Sequence, residues 1–511
     1  MKKLLFALPL SALFFLFGCG GGGPSGAGGG GGGGGTGSFS NASLSGSYVY
    51  TISGFDLNTN NPYREAGVFT VDGNGNVTSG TDDFTEVGFG YSSSTSTGTY
   101  AISGDGTGTL SLIFDGVSSN NLNFYITLAS GAKFYLIEAD ALNAYGVAEQ
   151  QDATAAGTTP SGSYAFRIHP VGAALGLNSM VGQMVVSSGV VTGSADVIQG
   201  GSFDNGTGAP LAITTGSLAA PSTTAGSTGR GIGSFADSLG TTSFNYYIVD
   251  NNNIRFLLNE STAVGIGRAA LQSGAPFTTS SFTGGYAFGS RGDDAVGGTL
   301  NYNDVATVGQ LVVSNGAVTG GIYDSVQAGT QVGVGAPLTG GAYSVQTNGR
   351  VAVTLAPGIG TTTQQVYWLV SPSLAYFISD DTTKAEDGIA QLQSTTSFSN
   401  ASLSGQYAFF MDGLNLAAEA YVDRVGWING DGNSKLTLFQ SELDNGTLTN
   451  NGKFSGTYNT VAANGRATAT VNGISAAPSD ITFYLVSPTE AYILQSGAST
   501  GYMIIGDMNL Q

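Results

Sequence analysis

The chain offers few residues that could do chemistry, and their scarcity is informative. It has one histidine, His169, set in Arg167-Ile168-His169-Pro170, and one cysteine, Cys19. A histidine-based nucleophilic triad needs a base, a nucleophile and an acidic orienter brought together. A single His within a repetitive chain reads instead as a polar residue near a strand end. One His and one Cys also leave no set for zinc or copper, and no cofactor is expected. Carboxylates are more plentiful. Asp72-x-Asn74-x-Asn76 has the opening spacing of a calcium loop, but Val77 stands where that loop requires Gly, and Asp83 where it requires Glu. A hairpin turn is the better reading. The adjacent pairs Asp82-Asp83, Asp293-Asp294 and Asp380-Asp381 would point to opposite faces of a strand, so they cannot act as paired acid and base. One carboxylate recurs: Asp83, Asp196 and Asp324 stand three or four residues past Gly80, Gly193 and Gly320, each of which follows a Thr by one or two residues. These three are candidate ligand contacts, set against a plainer reading as turn residues. The chain is expected not to be an enzyme.

The recurrence directs attention to the elements that would hold such residues. Gly-x-Tyr-x-aromatic occurs at Gly46, Gly162, Gly284 and Gly405, at spacings of 116, 122 and 121 residues, and the longer phrase SFSNASLSG opens the first and last copies at residues 38 and 397. Each copy then carries a hairpin around an Asn-Gly, Ser-Gly or Asp-Gly pair, a stretch such as GRVAVTLA or GRATATVNG, an aromatic hairpin, and a closing GVAEQQ, GRAALQ, GIAQLQ or IIGDMNLQ. Tyr48, Tyr50 and Ile52 share one strand face, as do Tyr164, Phe166 and Ile168, and Phe124, Ile126 and Leu128. Tyr125 lies opposite the last set, with Trp368 and Tyr484 aligned to it, so this hairpin is apolar on both sides and needs cover on both. The expectation is an all-β chain of four tandem units, 38–153, 154–273, 274–394 and 395–511, each an eight-stranded up-and-down barrel or, alternatively, a sandwich. Closure into barrels is preferred because it removes exposed strand edges.

Composition bounds the partners. The 511 residues include 34 Asp and Glu against 15 Lys and Arg, for a net charge of −19. Nucleic-acid binding wants a basic patch, and this balance excludes it. Gly is abundant, at 82 residues, as tight turns require.

The N-terminus reads MKKLLFALPLSALFFLFGCG. Two lysines precede an apolar run too short to span a membrane comfortably, and the run ends in Leu16-Phe17-Gly18-Cys19. This segment resembles the signal peptide of bacterial lipoproteins. The resemblance implies cleavage after residue 18, acyl chains on Cys19 and an outer-membrane address, the face of the membrane being left open. A tether follows at 19–37, in which 14 of residues 20–37 are Gly; its random-coil reach is roughly 20–25 Å. With the repeats, the whole chain resembles repeat-containing surface lipoproteins of environmental bacteria. What this implies is a non-enzymatic, lipid-anchored envelope protein that meets the membrane through its anchor and displays four β units to a glycan or protein. The alternative is a lipocalin-like carrier of a small apolar ligand, which would need a hollow barrel.

Overall fold

A computed structural model of the chain describes residues 38–139, 142–172, 178–200, 202–260, 263–294, 305–327, 330–360, 362–381, 384–415, 418, 420–474, 479–496 and 502–511. Cys19, the signal-like segment and the Gly-rich run lie outside them. The described residues form four closed antiparallel eight-stranded barrels, not sandwiches. Barrel 1 runs in simple up-and-down order through Gly46–Asp56, Asn61–Val71, Asn76–Glu86, Gly90–Ile102, Thr107–Phe114, Asn121–Ser130, Lys133–Glu138 and Asn143–Gln150. Barrel 4 repeats this from Ser404–Asn415 to Tyr502–Leu510. Barrels 2 and 3 begin with Gly162–Gly172 and Gly284–Asp294 and end with Ala263–Leu271 and Lys384–Leu392. They carry extra short strands, Ser202–Phe203 and Leu211–Ile213 in barrel 2 and Thr330–Pro337 in barrel 3, which pair with the third strand of the barrel.

The Gly-x-Tyr-x-aromatic phrase makes the first strand of each barrel, and register explains its composition. Tyr50, Phe166, Phe288 and Phe409 each stand directly opposite a glycine of the second strand: Gly67, Gly182, Gly309 and Gly426. In the first three the ring lies over that glycine so closely that a Cβ would sit 2.6–2.8 Å from it. The absent side chain makes room for a large ring in a narrow barrel. The preceding tyrosine reaches the turn of the late hairpin: Tyr286 and Tyr407 donate to the Pro372 and Pro488 carbonyls at 2.6 Å, and Tyr48 donates to that of Gly131. The SFSN phrase closes a barrel end. Asn41 and Asn400 accept from the backbone N–H of Ile102 and Val461 at 2.8 Å, and Leu44 and Leu403 are buried beneath.

Each barrel is filled by its own apolar cluster, drawn from alternate positions of the strands. Tyr48, Tyr50, Ile52, Phe124, Ile126 and Leu128 all face the interior of barrel 1. The opposite faces are buried too. Val49, Ala66 and Val68 of barrel 1 pack against Tyr247, Val249 and Leu257 of barrel 2. Barrels 2 and 3 meet through Ala165, Val181, Trp368 and Ile378, and barrels 3 and 4 through Ala287, Val308, Tyr484 and Leu494. The series does not stop there: Tyr135 and Ile137 of barrel 1 pack against Ala408, Phe410, Val425 and Leu443 of barrel 4. In every case the first strands of one barrel meet the late strands of the next. Four head-to-tail contacts of one kind therefore close into a ring.

Candidate functional site

The recurring aspartates lie at these contacts. None is in a turn; each is on the third strand, in register with Ala66, Val181 or Val308 of the second, and points outward into the next barrel. Asp83 receives Arg230 of barrel 2 in a forked pair, Nε at 2.6 Å and Nη2 at 3.0 Å. Asp196 receives Arg350 of barrel 3, with Nε at 2.9 Å from Oδ2. Asp324 receives Arg466 of barrel 4, with Nε and Nη2 both at 2.8 Å. Each also accepts from an aromatic donor of the next barrel, Tyr247, Trp368 at 2.7 Å and Tyr484 at 2.7 Å; Asp83 accepts in addition from Asn245 and Tyr91, and Asp324 from the Gly335 N–H. All three carboxylates are buried. Burial, reinforced by the neighbouring carboxylate, holds the Tyr247 and Tyr484 hydroxyls well above the ordinary tyrosine range, so they remain donors. Trp368 and Tyr484 thus pair across their strands with Arg350 and Arg466, as Tyr247 does with Arg230. The corresponding position in barrel 1 is Thr127, opposite Thr107, and not Tyr125. The two-residue offset arises because the late hairpin turn, not the aromatic run, sets the register.

A glutamine supplements each junction. Gln151, Gln272 and Gln393, which close the first three repeats, donate through Nε2 to the carbonyls of Ile248, Leu369 and Leu485 in the following barrel, each at 2.7 Å. Gln511 does the same to Leu128 of barrel 1 at 2.6 Å. The fourth junction lacks the aspartate latch, since Ser441 occupies its position opposite Val425. Other contacts replace it. Asn143 donates to the Leu443 carbonyl at 3.0 Å and accepts from Gly446 at 2.6 Å. Tyr135 donates to Asp507 at 2.5 Å, and Phe55 stacks on Tyr421 with ring centroids 4.4 Å apart.

His169 also proves to be a junction residue. It lies within Gly162–Gly172 rather than at its end, with Nδ1 2.6 Å from Asp387 of barrel 3 and Nε2 3.6 Å from Asp293. Burial disfavours its charge, but the two carboxylates outweigh burial and raise its pKa to about 9, so it is an imidazolium at neutral pH. Ser179 is close, 3.4 Å from the same Nδ1. A proton relay needs Ser and Asp on opposite ring nitrogens. Here both meet one nitrogen and a second carboxylate faces the other, so the trio cannot pass a proton from Ser179.

The other carboxylates of the sequence reading separate as strand alternation requires. Asp82 accepts from Tyr50 inside barrel 1 at 2.6 Å, while Asp83 faces out. Asp72 accepts from the backbone of Asn74 at 2.8 Å and from the Asn76 side chain at 2.7 Å, which is hairpin-turn chemistry.

Where the four barrels converge there is a cavity of about 340 Å³, lined from all four. Its walls are chiefly the faces of the first and the last two strands of each barrel, and they hold residues that do not repeat. Position by position, Val147, Arg268, Ile389 and Asp507 are equivalent, being next to the residues that pair with Tyr50, Phe166, Phe288 and Phe409. A second cavity of about 550 Å³ opens at one rim of barrel 2, against Ile168, Met180, Val197 and Leu258.

No protein-family model matches the chain, and no curated protein matches it. Among solved structures it is similar to transferrin-binding protein B. A double mutant of that protein from Haemophilus parasuis shares 8% identity over 74% of this chain and 82% of its own, with a TM-score of 0.18. The isotype 1 protein from serogroup B Neisseria meningitidis shares 9% over 74% and 84%, with a TM-score of 0.17. At that TM-score the ring has to be understood from its own geometry.

Two outcomes follow for the junctions. Asp196→Ala, which strands a buried Arg350, is expected to cost about 3–5 kcal/mol in denaturant unfolding, and Arg350→Met in the same chain should restore most of it. For His169, the folded pKa of about 9 exceeds the ordinary 6.5. Its stabilising contribution is therefore complete below about pH 6.5 and lost as pH rises through about 9. Melting curves from pH 6 to 10 should show the wild type losing its advantage over His169→Gln across that window.

Proposed function

We propose that this chain is a non-enzymatic, lipid-anchored protein of the bacterial outer membrane, whose ring of four barrels is a rigid body presented to a glycan or a protein. The lipobox residues Leu16, Gly18 and Cys19 support the anchor, and the Gly-rich run supplies its tether. One observation carries the display reading: the ring takes up its cations internally. Among the described lysines and arginines, Lys435 and Lys453 alone are exposed. The exposed carboxylates among the described residues are Asp72, Asp115, Asp152, Asp431 and Asp480, so the exterior is sparsely charged and net acidic. Such a surface is repelled by anionic head groups and nucleic acid, which holds the ring off the membrane and favours partners that are neutral or basic. With the His169 cluster unable to relay a proton, the outer surface, the central cavity and the rim cavity of barrel 2 are what remain for function.

Carriage of a small apolar molecule is the second reading, and it rests on the rim cavity of barrel 2. Mass spectrometry of the chain extracted from membranes separates the two readings. Denatured, the mature chain should begin at Cys19 and carry acyl mass; a free Cys19 thiol or an uncleaved leader contradicts the anchor. Under native conditions the display reading gives no further bound apolar molecule, and a stoichiometric one favours carriage.

A further inference from the structure

Nine arginines occur in the chain, and the described structure leaves one of them without a partner. Three arginines lie side by side on adjacent strands of barrel 2, facing the central cavity. Arg268 stands in direct register with Arg167 on one side and with Arg255 on the other. Like charges placed directly opposite in a sheet destabilise it unless something neutralises them. The outer two are neutralised: Arg167 by Asp387 at 3.0 Å, and Arg255 by Glu149, its Nε at 2.7 Å. Arg268, between them, has no ion pair or hydrogen bond among the described residues.

Burial disfavours the Arg268 charge, and Tyr376, Glu149 and Asp507 nearby favour it and raise its pKa, yet none of them bonds it directly. Asp507 is taken up by Tyr135 and by Lys133 at 3.7 Å. Both oxygens of Glu490 accept from Gln391 at 3.1 Å. Behind the wall, Asp412 is paired with Arg291 and Asp293 faces His169. With His169 protonated, the cavity wall holds seven positive groups and four carboxylates, while Asp293, Asp412 and Asp423 stand behind it, so the positive excess lies on the cavity face. A further donor also opens on the same space. Tyr376 of barrel 3 lines the cavity beside Arg268 and Arg167, with which it interacts electrostatically, and its hydroxyl makes no hydrogen bond among the described residues.

We infer that the cavity at the centre of the ring is a binding site for a small oxyanion, a phosphate or carboxylate group, held by Arg268 with Arg167 and the Tyr376 hydroxyl. A planar guanidinium presents paired N–H donors to such a group, and one anion there also removes the repulsion along the arginine row. Because donors come from barrels 2 and 3, the anion bridges a junction, and its binding stabilises the ring. The site is independent of what the acidic exterior meets.

Inorganic phosphate is the probe, measured by calorimetry and thermal melting of the full chain against sodium chloride at equal ionic strength. Phosphate is expected to bind saturably and to raise the melting temperature above the chloride value. Arg268→Gln should weaken phosphate binding by roughly tenfold or more, the effect of one charge-assisted hydrogen bond. Tyr376→Phe, which keeps the ring packing, should weaken binding by a smaller factor. A wild-type response no larger than that to chloride overturns the proposal, and so does a phosphate response that survives intact in Arg268→Gln.

Discussion

Each barrel buries an outer face against the next, and most of what is unusual in this chain follows from that. A free barrel needs one apolar face, turned inward, and shows strict alternation along its strands. Here the first strands are apolar on both faces, because Val49 and its counterparts pack into the neighbouring barrel while Tyr48 and Tyr50 pack inward. Burying two faces also buries the polar residues that remain on the outer one. An isolated carboxylate at such a place would be costly, so each of Asp83, Asp196 and Asp324 meets an arginine and an aromatic donor from the next barrel. The pairs fix the angle between barrels, since a fork of guanidinium and carboxylate tolerates little rotation.

Closure of the series into a ring has a second consequence. Latches, cavity and barrel interiors hold nearly all the described arginines and lysines and most of the carboxylates, and the few charges left exposed are mainly acidic. The protein is therefore divided electrostatically, acidic outside and locally basic on its axis. Equivalent strand positions that carry the same residue type build the barrels, while those that differ between barrels, such as Val147, Arg268, Ile389 and Asp507, meet at the centre. Repetition makes the frame, and its local breakdown makes the one place where four different walls face each other.

Much of the frame was legible in the sequence. Four Gly-x-Tyr-x-aromatic phrases, hairpin signals and a period near 120 residues pointed to barrels, because strand register and ring packing are local. The recurring aspartates were visible as a signal, but their meaning was not. Their partners lie 142–154 residues away in the next repeat, and a turn residue and a buried latch look alike in one dimension. A second signal was present beside them: Gly-Arg recurs at Arg230, Arg350 and Arg466 and is missing from the first repeat, as expected if each arginine serves the preceding barrel. The closing glutamines formed a third. Neither the role of His169 nor the arginine row could be found this way, since Arg167, Arg268 and His169 each occur once and only ring closure brings them to a common cavity.

Ring closure is thus the claim on which the junctions, the acidic exterior and the central site all depend, and small-angle X-ray scattering of the full chain tests it most directly. A single compact body of this size has a radius of gyration of about 23 Å, to which the short tether adds little. A value near 23–25 Å is predicted, unchanged between low and high protein dilution. Four barrels strung on flexible linkers would give more than about 30 Å, and that result would contradict the ring.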